Sequence, residues 1–251
     1  MLQDKVIIVT GAARGIGREY CVQFAKLGAL IIASDVKPCT DTVHEACQNG
    51  GRVIGFPADV GDSLSTMRLA QAAQNEFGRI DGLVNNAALY GALHGGRFEA
   101  IAEDEWDAAM AVNVKGVWNC CKAIVPTMRE AGGGSIVNIT SLAAIYGMPY
   151  ALHYTASKAA VIGLTRGLAR ELGRDGIRVN SIAPSAVATE GTREFFGSKY
   201  EKALDTIKAG QSIQRNLEPI DLVGTVAWLL SDGSRFVTGQ TISVDGGTVL
   251  L

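Results

Sequence analysis

Tyr154 and Lys158 are separated by three residues in the run Tyr154-Thr155-Ala156-Ser157-Lys158. In a helix this spacing puts a phenol and an ammonium on one face, one turn apart. A phenol titrates near ~10, so a cation that favours phenolate is what lets a tyrosine exchange a proton near neutral pH. Oxidation of an alcohol by hydride transfer needs a base for the hydroxyl proton and a donor to the same oxygen as the carbonyl forms. Tyr154 and the upstream Ser141 are residues of those types. The spacing alone also fits a surface Tyr and Lys without a role, just as Ser141 alone fits a turn cap, so the remaining chain has to decide.

A second candidate is Thr10-Gly11-Ala12-Ala13-Arg14-Gly15-Ile16-Gly17. It lies between an apolar β-branched run, residues 5–10, and a segment with helical periodicity, residues 15–27. Glycines at a strand-to-helix junction permit a tight turn, let backbone N–H groups approach a pyrophosphate, and leave the positive helix end pointing at it. The Gly-x-x-x-Gly-x-Gly spacing differs from the more common Gly-x-Gly-x-x-Gly. Asp35 follows after about twenty residues, where a carboxylate accepts hydrogen bonds from both adenosine ribose hydroxyls. It would meet a 2′-phosphate with like charge, which predicts NAD over NADP. Arg14 and Lys37 oppose this, because a basic side chain beside the loop can pair with that phosphate.

The elements that must position these groups follow from periodicity. Strands are predicted at residues 5–10, 30–34, 52–56, 80–84, 135–139, 178–182 and 241–244. Helices are predicted at 15–27, 42–48, 63–77, 103–130 with a break around 113–116, 152–172 and 220–230. Strands alternating with helices define an α/β, Rossmann-type doubly wound fold, a predominantly parallel sheet of about seven strands with helices on both faces. Without any linker, residues 1–251 form one domain for both the dinucleotide and catalysis. Residues 186–215 have no clear place in the sheet and carry Gly191, Gly197 and Gly210 around Phe195, Phe196 and Tyr200. A loop of that length is expected to be a substrate lid, an ordinary surface helical hairpin being the alternative.

Bulk composition narrows the partners. A formal charge of −2, a pI near 5.9 and no dense Lys/Arg run give no footprint for nucleic acid or an acidic membrane. No apolar run approaches the ~20 residues needed to span a bilayer, and Met1 leads almost directly into a strand, so a cytoplasmic protein is expected. Cys21, Cys39, Cys47, Cys120 and Cys121 are odd in number with no Cys-x-x-Cys pair, and His44, His94 and His153 are scattered. Neither a disulfide framework nor a metal centre is expected.

With the glycine loop and Tyr154-x-x-x-Lys158 both placed, the sequence resembles the short-chain dehydrogenase/reductase family over nearly its whole length. Asn85-Asn86-Ala87, Asp59-Val60, Asn113, Ser141, Pro184, Thr189 and the ending Val244-Asp245-Gly246-Gly247 match further motifs of that family. The resemblance implies a catalytic group of Asn113, Ser141, Tyr154 and Lys158. In it Tyr154 is the general acid/base and Ser141 holds the substrate oxygen. Lys158 lowers the tyrosine pKa and binds the nicotinamide ribose, and Asn113 anchors a water linking Lys158 to solvent. The resemblance also implies that the cofactor is bound by Gly11, Arg14, Gly15, Ile16, Gly17 and Asp35, by Asp59 and Val60 at the adenine, and by Asn86 and Ala87. Tyr154, Lys158, Pro184, Val187 and Thr189 complete the set near the nicotinamide. A homotetramer is implied, with the helices around Ala109 and Val161 packing between subunits. Ala88 and Ser185 depart from the family pattern, each standing where it often has glycine.

Segments that should line the substrate pocket offer Tyr90, Leu93, Leu142, Ala143, Ile145, Tyr146, Met148, Tyr150, Leu152, Phe195 and Phe196, with His94, His153 and Thr192 as polar exceptions. No Arg/Lys clamp for a carboxylate or phosphate is evident. The expected reaction is NAD-dependent interconversion of a moderately sized, mostly uncharged secondary alcohol and its ketone. A 3-oxoacyl-thioester reductase using NADPH is the alternative within enzymes. A nucleotide-sensing protein without turnover is the alternative of another class.

Overall fold

The computed structural model describes residues 1–250. Its seven strands are β1 Val6–Thr10, β2 Leu30–Asp35, β3 Arg52–Pro57, β4 Gly82–Asn85, β5 Gly134–Ile139, β6 Ile177–Pro184 and β7 Thr241–Val244. They form one sheet in the order β3-β2-β1-β4-β5-β6-β7, and every neighbouring pair is parallel. The main helices are α1 Gly15–Lys26, α2 Thr40–Gln48, α3 Ser63–Phe77, α4 Glu103–Met110, α5 Gly116–Glu130, α6 Ala143–Tyr146, α7 Leu152–Leu172, α8 Glu190–Phe196, α9 Tyr200–Ala209 and α10 Pro219–Leu230.

The near-continuous apolar strands follow from burial on both faces. Along β1 and β2, Ile7, Val9 and Ile31 face Tyr20, Phe24 and Leu229. Val6, Ile8 and Ile32 face the opposite way, toward Leu69, Ile124 and Met128. Alternation with a period of two thus feeds two separate cores, one under α1 and α10 and one under α3 and α5. Each fully buried side chain of this size contributes about 1.5–3 kcal/mol of transfer free energy.

Two details depart from the sequence expectation, and the segment 186–215 takes the helical form given there as an alternative. The helix expected to break around residues 113–116 instead widens into a π turn, Ala111–Lys115, and runs on into α5. Just after it, Gly116 lets the helix approach Val60, whose Cγ2 a Cβ there would meet at 2.7 Å. Residues 186–215 fold as a hairpin of α8 and α9 with a 3-10 turn at Gly197–Lys199. A parallel bridge between Val187 and Leu217 closes its base. The short α6 was not anticipated. Among the described residues no helix is long and apolar enough to cross a membrane.

Candidate active site

β1 and β4 are neighbours, but the chain leaves them toward opposite ends of the sheet. This divergence opens a crevice at the carboxyl ends of the strands, where α/β sheets bind ligands. The glycine loop lies there. Gly11 has φ +67°, and a Cβ on it would sit 2.8 Å from Cα of Ala87. A Cβ on Gly17 would collide with the Gly11 carbonyl. Arg14, the extended N-cap of α1, makes no side-chain cap, and the first turn carries no acid. The first-turn N–H groups of Gly15, Ile16 and Gly17 therefore need an anion or water. The uncapped helix end, the close backbone approach and an acid at the end of β2 together fit a dinucleotide.

Thr10 and Asn86 tie this loop to β4. The Thr10 hydroxyl accepts from the N–H groups of Asn86 and Ala87, both at 3.1 Å. Nδ2 of Asn86 donates to the carbonyls of Thr10 at 2.9 Å and Gly11 at 3.1 Å. Asp35 accepts from the N–H of Ala13 at 3.1 Å and of Lys37 at 3.0 Å, one to each oxygen, which leaves further lone pairs for ribose hydroxyls. Of the adenine pair, Asp59 is exposed and Val60 is buried against Gly116. Val187 is also buried, while Thr189 caps α8 through the N–H of Thr192 at 3.2 Å and flanks Gly15. Pro184 ends β6, its carbonyl accepting from the N–H of Leu142 at 2.8 Å.

The helix α7 brings Tyr154 and Lys158 to one face, with Nζ of Lys158 5.8 Å from the Tyr154 ring centroid. The ammonium is buried and donates to the carbonyl of Ile139 at 2.8 Å. Burial pushes its pKa down to about 8. Burial also pushes the Tyr154 phenol up to about 12, partly offset by the nearby Ser141 hydroxyl, with Tyr146 adding to the rise. Oγ of Ser141 also accepts from the N–H of Ala143 at 3.1 Å, which sets the first turn of α6.

Asn113, in the π turn, is buried. Its Oδ1 accepts from the N–H of Leu89 at 2.7 Å, and its Nδ2 donates to the Leu89 carbonyl at 3.1 Å and to Oγ of Ser157 at 3.0 Å. Both amide donors are committed, so the side chain acts as a strut between the loop after β4 and α7. His153 is fully buried rather than pocket-lining, and its Nδ1 accepts from the N–H of Tyr154 at 3.0 Å. That acceptor role fixes the proton on Nε2, which lies 3.8 Å from Oε1 of Glu105. Glu105 also accepts from the N–H of His94 at 2.5 Å and faces its ring nitrogen at 3.2 Å.

Tyr90 packs against Tyr154. Its ring centroid lies 4.8 Å from that of Tyr154 and 4.7 Å from that of Phe195 on α8, and Phe195 meets Phe196 edge-on at 5.2 Å. Of the other expected pocket residues, Leu93, Leu142, Ala143 and Thr192 are buried, whereas Tyr146, Tyr150 and Leu152 are exposed. The Ser185 hydroxyl is turned toward Oε1 of Gln211 at 3.5 Å, and Ala88 is exposed. Sequence reasoning missed Glu105 and Glu194. Each is an ordinary helix-surface acid in the sequence, and its partner lies far away in the chain.

A family model described as enoyl-(acyl carrier protein) reductase matches residues 11–249. The chain is 39% identical over 251 residues to a 3-oxoacyl-[acyl-carrier-protein] reductase of Thermotoga maritima, covering 99% of each. It is 37% identical to the (2S)-[(R)-hydroxy(phenyl)methyl]succinyl-CoA dehydrogenase subunit BbsD of Thauera aromatica, covering 99% of this chain and 98% of that one. The crystal structure of levodione reductase superposes with a TM-score of 0.93 at 31% identity, covering 98% of both chains. The fold and site define a dinucleotide-dependent α/β oxidoreductase. The chain belongs to the short-chain dehydrogenase/reductase family, whose members work with a nicotinamide cofactor.

Proposed function

We propose that this protein interconverts a moderately sized, mostly uncharged secondary alcohol and its ketone, with NAD as cofactor. The observation that carries the reading is the convergence of the Ser141 hydroxyl, the Tyr154 phenol and the Lys158 ammonium beside the crevice that holds the glycine loop. The cofactor would be held by the first turn of α1 at its pyrophosphate, by Asp35 at the adenosine ribose, and by Lys158 at the nicotinamide ribose. Bound there, NAD supplies the hydride acceptor and a positive charge.

Ser141 and Tyr154 would hold the substrate oxygen between them, and Tyr154 would take the hydroxyl proton. A phenol at about 12 is a weak base at neutral pH, so turnover requires the site to favour phenolate more strongly than the ligand-free protein does. Tyr90, Phe195 and Phe196 would close over the substrate, with the α8–α9 hairpin as the lid. An aromatic or alicyclic substrate suits that cover. The phenyl group in the name of the Thauera aromatica relative is in keeping with it.

A panel of secondary alcohols with NAD, read as absorbance of NADH, tests the proposal. Activity confined to NADPH and acyl-carrier thioesters would instead support the reductase reading that the name of the Thermotoga maritima relative favours. Nucleotide binding without turnover of any alcohol or ketone would leave the sensing role. The reading includes a homotetramer: Ala109 and Val161 are themselves buried, but Trp118, Ala159 and Gly163 are exposed on the same helices. Light scattering measures that state directly.

A further inference from the structure

Arg14 precedes the second glycine of the loop, and Glu194 sits on the lid helix α8. Nη1 and Nη2 of Arg14 donate to Oε1 of Glu194 at 2.5 Å and Oε2 at 2.7 Å. This is a two-pronged pair of the kind a guanidinium also makes with a phosphate. Glu194, Glu190 and Asp35 all favour the charged guanidinium, and Lys37 acts on Glu194 from the other side. Three carboxylates therefore surround two cations where a 2′-phosphate would lie beside Asp35.

The loop after β4 is shaped to admit the pair. A Cβ on Gly91 would collide with Oε2 of Glu194 and lie 3.0 Å from the carbonyl of Gly191 and 3.1 Å from Cβ of Glu194. Glycine at 91 lets Glu194 come down onto Arg14, whereas a side chain there would hold α8 away.

We propose that Glu194 is a cofactor-discriminating residue: with the lid closed, its carboxylate occupies the guanidinium that would otherwise pair with the 2′-phosphate of NADP. Asp35 repels that phosphate directly, and Glu194 withdraws the two-pronged donor of the loop, while the other nearby guanidinium, Arg18, is held by the Ala13 carbonyl at 2.7 Å and by Asp41 at 3.6 Å. A phosphate entering this corner has to break the Arg14 pair and leave a second carboxylate facing it. An unphosphorylated ribose has to do neither, so NAD binds with the pair intact. This extends the NAD reading to a residue on the lid, and makes lid closure itself selective.

The test needs no knowledge of the alcohol. The full chain is titrated with NADH and with NADPH, following nucleotide fluorescence, as wild type, Glu194→Gln, Gly91→Ala, and Glu194→Gln combined with Arg14→Ala. Glu194→Gln should tighten NADPH about tenfold while shifting NADH by less than about twofold. Gly91→Ala, which displaces the carboxylate without removing it, should move NADPH in the same direction. The gain should vanish in the Arg14→Ala background, a dependence that general loosening of α8 would not produce. Equal shifts for both nucleotides, or an unchanged NADPH affinity in Glu194→Gln, would overturn the role of Glu194. A wild type that prefers NADPH would overturn the NAD reading separately, because the inference rests on the change between variants.

Discussion

The ring of Tyr90 lies 4.8 Å from that of Tyr154, tilted by 38°, and 4.7 Å from that of Phe195 on α8. The Tyr154 phenol is thus partly covered by a residue of the β4 loop that packs against α8. Tyr90→Ala should expose the phenol further, let the Tyr154 pKa fall from about 12 toward the ordinary ~10, and shift downward the alkaline limb of the pH–rate profile for ketone reduction, in which Tyr154 is the acid. Each aromatic contact contributes about 0.5–1.5 kcal/mol beyond its buried area, so affinity for an aromatic substrate should fall as well. An unchanged profile would separate Tyr90 from the environment of the phenol.

Tyr154→Phe should abolish turnover, with a loss of about a hundredfold or more, because it removes the only group placed to move the substrate proton. NADH affinity should stay within a few-fold, since the glycine loop and Asp35 are untouched. Retained activity would refute the acid/base role.

Lys158 gives a stability signature. Its folded pKa is lowered to about 8 from an ordinary lysine value, so between pH 8 and the unfolded pKa the unfolded chain binds more protons. This contribution to ligand-free stability rises with pH across that window, by at most roughly 3 kcal/mol, while the buried thiols of Cys21, Cys39, Cys120 and Cys121, pushed up by burial, oppose it there. Tyr154 works in the opposite sense at higher pH, where unfolded tyrosine ionises before the buried one. Denaturant melts from pH 7 to 10 should show the Lys158 contribution as a difference, wild type gaining stability relative to Lys158→Met as pH rises.

Asn113→Ala would leave the Leu89 N–H and carbonyl and the Ser157 hydroxyl without their partner. Destabilisation of about 2–4 kcal/mol is expected from buried groups left unsatisfied. If the residue positions the β4 loop against α7, kcat should fall far more than NADH affinity, which steady-state kinetics and nucleotide titration distinguish.

Gly17→Ala drives a methyl into the Gly11 carbonyl and toward Nδ2 of Asn86. Nucleotide binding should be lost along with several kcal/mol of stability, by overpacking at a point where backbone faces backbone. Calorimetry and NADH titration check both outcomes.

The sheet was legible in the sequence because β-branched runs alternate with segments of helical period, and parallel order follows once helices separate the strands. Asp35 and the glycine loop were readable from their offsets along that pattern. The continuity of the helix through Asn113 was not, because a π turn keeps the chain direction while the apolar period slips by one residue. Residues 186–215 read as a candidate lid from their length, but their packing was not legible: Phe195 gives no periodic signal that it stacks on Tyr90. The pair of Arg14 with Glu194 spans most of the chain, and no local spacing joins two residues brought together only by closure of the hairpin. His153 read as a polar pocket residue, whereas its ring is consumed by the first turn of the helix that bears Tyr154.

The bare first turn of α1 has a consequence beyond catalysis. Because its N–H groups have no side-chain partner, the chain is completed at that end by whatever anion it holds, and nucleotide binding is part of its folding equilibrium. A protein built this way draws some of its durability from the nucleotide pool around it. Its resistance to heat and to proteases should rise and fall with that supply, even when no substrate is present.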